Sequence, residues 1–180
     1  MIDQLNDEAL YRTKSFINGL WVDADDGATL EVTNPVNGDV LARVAKVGAS
    51  ETRTAIKAAA SAMSAWRVVP AKVRSNILRD WFNLIMAHQE DLARIMTLEQ
   101  GKIIAESRGE VAYGASYIEW FAEKAKRIDG DVIPGTSPDK RLVCIKKLVG
   151  VCASLTTCIF PHALITHKAA HATVAGRSIL

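Results

Sequence analysis

Between residues 51 and 127, apolar side chains recur three and four positions apart, the period of an amphipathic helix. This pattern predicts four helices. In the first, from about 51 to 66, Ile56, Ala59, Met63 and Trp66 share a face and Ser50 serves as N-cap. Pro70 opens the second, whose stripe is Val73, Ile77, Trp81, Leu84 and Ile85. The third runs over 88–100, with Leu92, Ile95 and Met96 inward and Gly101 as C-cap. The fourth runs over 103–127, with Ile104, Val111, Ala115, Ile118 and Ala122 on one face. Gly109 and Gly114 each cost this last helix about 1 kcal/mol against Ala, so close packing is expected at both.

On either side of this block the period shortens. Residues 15–22 read as a hairpin, with Asn18 and Gly19 suited to a type I′ turn. Residues 28–33 and 40–47 read as two further short strands, punctuated by Asn34-Pro35 and Asn37-Gly38. After the helices, 131–134 and 141–149 read as strands joined by a turn over 135–138. Residues 150–155 are short, apolar and uncharged, the signature of a fully buried parallel strand. A helix starting at Phe160-Pro161 and running to about Val174 follows, with Gly176 to end it, and 178–180 begins another strand. The fold class is therefore α/β: a β meander, a helical layer, a strand pair and the opening of a doubly wound sheet.

Composition agrees with a globular chain. Of the 180 residues, 49% are hydrophobic and 23% charged, which excludes disorder and collagen. The first ten residues lack the basic and apolar regions of a signal peptide. Pro161 and His162 break the longest weakly polar stretch, so neither a membrane span nor a membrane partner is expected. Three cysteines without framework spacing point to the reducing cytoplasm. Charge is uneven. Residues 140–180 hold six bases and no acid, while the first 139 hold 16 bases and 20 acids. That basic quarter reads equally as a phosphate attractor or as solvated lysines on a strand. No nucleic-acid partner is expected.

Familiar chemical motifs are absent: no G-x-G pair, no Walker A loop, no H-E-x-x-H and no G-x-S-x-G. Glu106 and Glu110, like Glu119 and Glu123, are spaced i, i+4 and read as solvated helix faces. Cys158, His162, His167 and His171 fall within fourteen residues, and a metal could bridge the last two. No second pair lies at structural-zinc spacing, so no metal ligand is assigned. Structural thiols are commoner than nucleophilic ones, and none of the three cysteines has a base beside it in sequence.

Several long stretches resemble the aldehyde dehydrogenase family. They are FINGLWVDADDG, VTNPVNGDVL, the run from AWRVVPAKVR to MTLEQGK, GEVAYGASYIEWFAEKAKRIDGDVIPG and DKRLVCIKKLVGV. Within that family the chain is most like the bacterial NADP-dependent succinate-semialdehyde dehydrogenases. The resemblance implies the N-terminal portion of the family fold. Residues 1–128 would be the first part of the cofactor domain, 129–149 the oligomerisation-arm strands, and 150–180 the first strand and helix of a Rossmann-like sheet. It also implies NADP or NAD as cofactor, a small aldehyde as substrate, and a homo-oligomer.

Family chemistry uses a cysteine thiolate and a glutamate-activated water. Both family residues lie downstream of position 180, so no catalytic residue is assigned here. The family pattern T-P-W-N-F-P corresponds to Thr156, Thr157, Cys158, Ile159, Phe160 and Pro161. The resemblance thus implies cofactor contacts at Thr156, Thr157, Cys158 and Ile159. It places Ile159 where the family has an oxyanion-binding asparagine. The family arginine for a substrate carboxylate is His167, and a mostly neutral histidine lacks the guanidinium fork. The expected function is part of a semialdehyde dehydrogenase, inactive by itself. Two alternatives are an interaction protein that pairs with full-length subunits through strands 131–149, and a small metal-binding module. Unpartnered apolar faces predict self-association of the isolated chain.

Overall fold

A computed structural model describes residues 5–180. The expectation about the N-terminal stretch lies partly outside them. The chain opens with two hairpins. β1 (Ser15–Ile17) pairs antiparallel with β2 (Leu20–Val22), and β3 (Thr29–Thr33) with β4 (Val40–Ala45). Asn18 and Gly19 have φ of 51° and 80°, the two left-handed positions that a type I′ turn requires. Phe16 and Trp21 face each other across the first hairpin with ring centroids 5.1 Å apart.

Four helices follow: α1 (Ala49–Trp66), α2 (Ala71–Ala87), α3 (Gln89–Gln100) and α4 (Ile104–Lys124). The N-cap of α1 is Gly48, not Ser50. Glu51 reaches back and accepts from the Gly48 N–H at 2.9 Å and the Asp25 N–H at 2.8 Å. Those donors, Asp25 foremost, hold its carboxyl below the usual range. One side chain thus caps the helix and ties it to the hairpin layer. Ile56, expected inward, is 45% exposed.

The core centres on α4, which packs against α2, α3 and α5 (Pro161–Val174). Val111, Ala115, Ile118 and Ala122 are all buried, as the periodicity of α4 predicts. Leu78 and Ile85 from α2 and Met96 from α3 meet them. Each such side chain contributes about 1.5–3 kcal/mol on burial. The inward stripe of α2 differs from expectation. Ser75, Leu78 and Ile85 are buried, while Val73, Ile77 and Leu84 face outward. Apolar residues occupy both sides of α2, and α4 packs on the side carrying Leu78.

The glycines of α4 have different roles. A Cβ on Gly114 would stand 2.5 Å from His162 Nδ1 and 2.9 Å from Thr166 Oγ1, so α5 can approach only a glycine. Gly109 meets nothing within 4 Å, and close packing does not explain it.

β5 (Asp131–Pro134) and β6 (Arg141–Cys144) form a third antiparallel hairpin, exposed at every position. β6 ends at Cys144, so the strand expected over 141–149 is halved because β5 offers no partner beyond Asp131. The expected buried strand at 150–155 is reduced to one parallel bridge, Cys152 to Ile179. Val149 is 85% exposed and Leu155 80%. A strand is buried only by neighbours, and among the described residues this one has a neighbour on one side only. Among the described residues no helix is long and apolar enough to cross a membrane.

Candidate functional site

The segment from residue 155 to α5 is a loop, and Thr156, Thr157, Cys158 and Ile159 are all exposed on it. Two side chains hold its backbone. Lys168 donates to the Leu155 carbonyl, and Gln100 Nε2 donates to the Cys158 carbonyl. Thr157 Oγ1 donates to the Ile159 carbonyl at 3.2 Å. The loop ends at Phe160, whose φ of 52° and ψ of 52° lie in the left-handed region. For a bulky residue before proline this conformation costs of order 1–3 kcal/mol. Lys102 Nζ lies 4.5 Å from the centre of the Phe160 ring. Pro161 then starts α5, where a missing N–H costs nothing.

Beneath the loop sits a residue that spacing alone misplaces. Glu110 is 4% exposed, not a solvated face. Its Oε1 accepts the backbone N–H groups of His162 at 3.0 Å and Ala163 at 3.3 Å. Its other oxygen pairs with Lys102. A carboxylate from α4 therefore caps the positive end of α5. Glu119 and Glu123 do lie on the surface, paired with Arg79 at 2.8 and 3.1 Å.

His162 lies in the same place. Its Nδ1 is buried without a hydrogen-bond partner. Burial pushes its pKa below the ordinary histidine range, and the nearby Glu110 opposes this. The sign of the pH effect follows. The folded chain takes the proton at lower pH than the unfolded chain. This contribution to stability is complete above the free-histidine value of about 6.5 and is lost as pH falls below it. Between about pH 7.5 and pH 5, the Tm of the chain is expected to drop, and His162→Ala to show a shallower drop. Identical pH profiles would show that His162 does not carry the effect.

His167 occupies a different environment. Its ring stacks on Tyr117 with centroids 4.5 Å apart and planes 20° apart. With Tyr117, Glu119, Trp120, Phe121 and Glu123 it lines a cavity of about 610 Å³ between α4 and α5. Residues 156–159 are not part of that lining. His171 stacks on Phe121 at 5.1 Å. Among the described residues, no three His, Cys, Asp or Glu side chains converge to hold a metal ion. The metal-module alternative thus has no support in the geometry. None of the α4 residues that line the cavity belongs to the face on which periodicity predicts packing, and Glu119 and Glu123 read as a solvated face, so the sequence pattern gives no sign of the cavity.

The thiols are scattered. Cys144 and Cys158 are exposed, and Cys152 is half-buried. Cys152 Sγ contacts the Gly150 carbonyl at 3.9 Å and Arg177 Nη1 at 3.7 Å. Among the described residues no thiol is hydrogen-bonded to a histidine or carboxylate that could take its proton.

The described residues thus assemble a mixed α/β scaffold with an exposed loop before α5 and a cavity at His167, and among them no thiol lies beside a base. The chain belongs to the aldehyde dehydrogenase family, whose model matches residues 21–180. It is 58% identical over 173 residues to the NADP-dependent succinate-semialdehyde dehydrogenase of Escherichia coli, covering 96% of this chain and 36% of that relative. It is 57% identical, with the same coverage, to a glutarate-semialdehyde dehydrogenase of Pseudomonas putida. A crystal structure of an NADP-dependent enzyme from E. coli superposes with a TM-score of 0.96 at 57% identity, over 98% of this chain and 37% of that one. The chain thus spans about a third of the length of these relatives, matching their N-terminal part.

Proposed function

We propose that these residues form the non-nucleophilic part of an NAD(P)-dependent semialdehyde dehydrogenase. Succinate semialdehyde is the preferred substrate in this reading, with glutarate semialdehyde next. The observation that supports it is the identity of 58% over nearly the whole chain to one such enzyme, confined to 36% of that enzyme's length. In this reading residues 1–128 belong to the cofactor domain, 129–149 to an arm that meets other subunits, and 150–180 to the first strand and helix of the cofactor-binding sheet. The reading places the work of the protein in the cytoplasm.

In the same reading the loop at Thr156, Thr157, Cys158 and Ile159 lies along the nicotinamide of NADP or NAD. The cofactor, when bound, accepts hydride. The loop's part is positional: Lys168 and Gln100 fix its backbone, and Phe160 sets the turn into α5. Ile159 offers no side-chain donor to a developing oxyanion. His167 faces the substrate carboxylate from the cavity beside Tyr117 and Trp120. An imidazole there lacks the planar bidentate fork that a guanidinium would offer a carboxylate.

The test joins residues 1–180 to the remaining two-thirds of the E. coli relative. In this chimera, His167→Arg is expected to lower KM for succinate semialdehyde about ten- to hundredfold, the worth of a charged hydrogen bond. KM for an uncharged aldehyde of equal length should stay unchanged. An equal shift for both aldehydes, or for neither, would remove His167 from the substrate site.

A further inference from the structure

The basic surplus of the sequence has a structural counterpart outside the loop and the His167 cavity. Arg67 at the end of α1, Arg74 in α2, Lys126 after α4, Lys146 and Lys147 after β6, and Arg177 after α5 line one cavity of about 400 Å³. Among the described residues no acidic one is part of its lining. The cavity lies at the C-terminal end of α5. The proposed cofactor loop lies at the other end, about 20 Å away along a fourteen-residue helix.

Helix capping explains one of the six cations. Arg74 Nε donates to the Val174 carbonyl at 3.0 Å, and its Nη1 donates to the Val69 carbonyl. That is the expected use of a cation at a helix C-terminus. Arg177 is different. Its Nε is buried without any hydrogen-bond partner, and its Nη1 reaches only the weak acceptor Cys152 Sγ at 3.7 Å. A buried guanidinium donor left unpaired is rare and calls for an acceptor. Arg67, Lys126, Lys146 and Lys147 surround it with positive charge that nothing in the lining offsets. Like charges gathered in a concave, partly desolvated space are held together best by a multivalent anion.

We infer that this cavity binds a phosphate-type oxyanion carrying more than one negative charge, with Arg177 as the central donor and Lys146 and Lys147 closing one side. Arg177 suits the role because its planar fork pairs with two phosphate oxygens at once. The two lysines are exposed, so they add charge without structural duty. This inference concerns an end of α5 that the proposed dehydrogenase reading does not use, and it stands or falls separately.

The experiment is calorimetric titration of the purified chain with inorganic pyrophosphate, with inorganic phosphate, and with sodium chloride matched for ionic strength. Pyrophosphate is expected to bind with one-to-one stoichiometry and more tightly than phosphate, while chloride gives no saturable heat. Arg177→Gln is expected to weaken pyrophosphate binding about ten- to hundredfold, the cost of a lost charged hydrogen bond. Lys146→Gln combined with Lys147→Gln, on an exposed segment that leaves folding intact, is expected to weaken it as well. Absence of saturable binding overturns the inference. So does a response that follows ionic strength alone, or full binding by the double-lysine variant.

Discussion

Replacing Ile159 by asparagine is expected to raise kcat about 10²–10³-fold in the chimera of residues 1–180 with the remainder of the E. coli relative. The expectation rests on what the loop keeps and what it lacks. The backbone anchors are in place, because Lys168 holds the Leu155 carbonyl and Gln100 holds the Cys158 carbonyl. Phe160 still makes the left-handed turn into α5, and Pro161 still starts the helix. Ile159 itself is 68% exposed and packs into nothing that an asparagine would disrupt. The substitution therefore adds a donor to an existing frame. One preorganised donor to a developing oxyanion is worth about 2.7–4 kcal/mol in the transition state and little in the ground state. The gain should appear in kcat and in kcat/KM together, with KM nearly constant. A kcat unchanged by Ile159→Asn would show that this position does not face the developing charge.

Truncating Glu110 should have the largest effect on stability of any single change in the described residues. Glu110→Ala is expected to cost about 3–5 kcal/mol, as for removing one member of a buried ion pair. Three partners lose their acceptor at once: the N–H groups of His162 and Ala163, and Lys102, which is itself only 16% exposed. Glu110→Gln keeps the shape and one carbonyl oxygen but loses the charge, so its cost should be smaller, about 1.5–3 kcal/mol. Urea denaturation of the three proteins side by side measures both. Hydrogen exchange should accelerate first in α5, where the cap is lost. A loss below about 1 kcal/mol for Glu110→Ala would mean that α5 does not depend on this cap.

These two residues also show how far the sequence could be read. Periodicity and the start and stop residues located all five helices, with the largest error at the end of α4, which stops at Lys124 and not at 127; α2 to α5 were legible because each gives buried side chains to one core. Asn18-Gly19 and Gly101 were legible because their backbone conformations favour those residues. The spacing of Glu106 and Glu110 was misleading, since an i, i+4 pair does not say which neighbour a helix face meets. Glu110 faces the start of α5, 52 residues away in sequence. Glu51 was missed as a cap for a related reason. Its second donor, Asp25, comes from another element. In α2 both sides are apolar, and only the position of α4 decides between Leu78 and Ile77. The strand expected at 150–155 failed because propensity cannot supply the neighbours that make a sheet. For the site, no physical pattern in residues 156–159 or at His167 signals chemistry. Those positions became legible through the family resemblance, and the structure shows the loop and the cavity in which they lie.

The central claim is that these 180 residues provide scaffold, loop and cavity but no nucleophile. Nicotinamide reduction by the purified chain, incubated with NADP and succinate semialdehyde, tests it most directly. The predicted result is no increase in absorbance over a protein-free blank, with or without thiol alkylation. Sustained NADP reduction that disappears on alkylation of Cys144, Cys152 or Cys158 would contradict it.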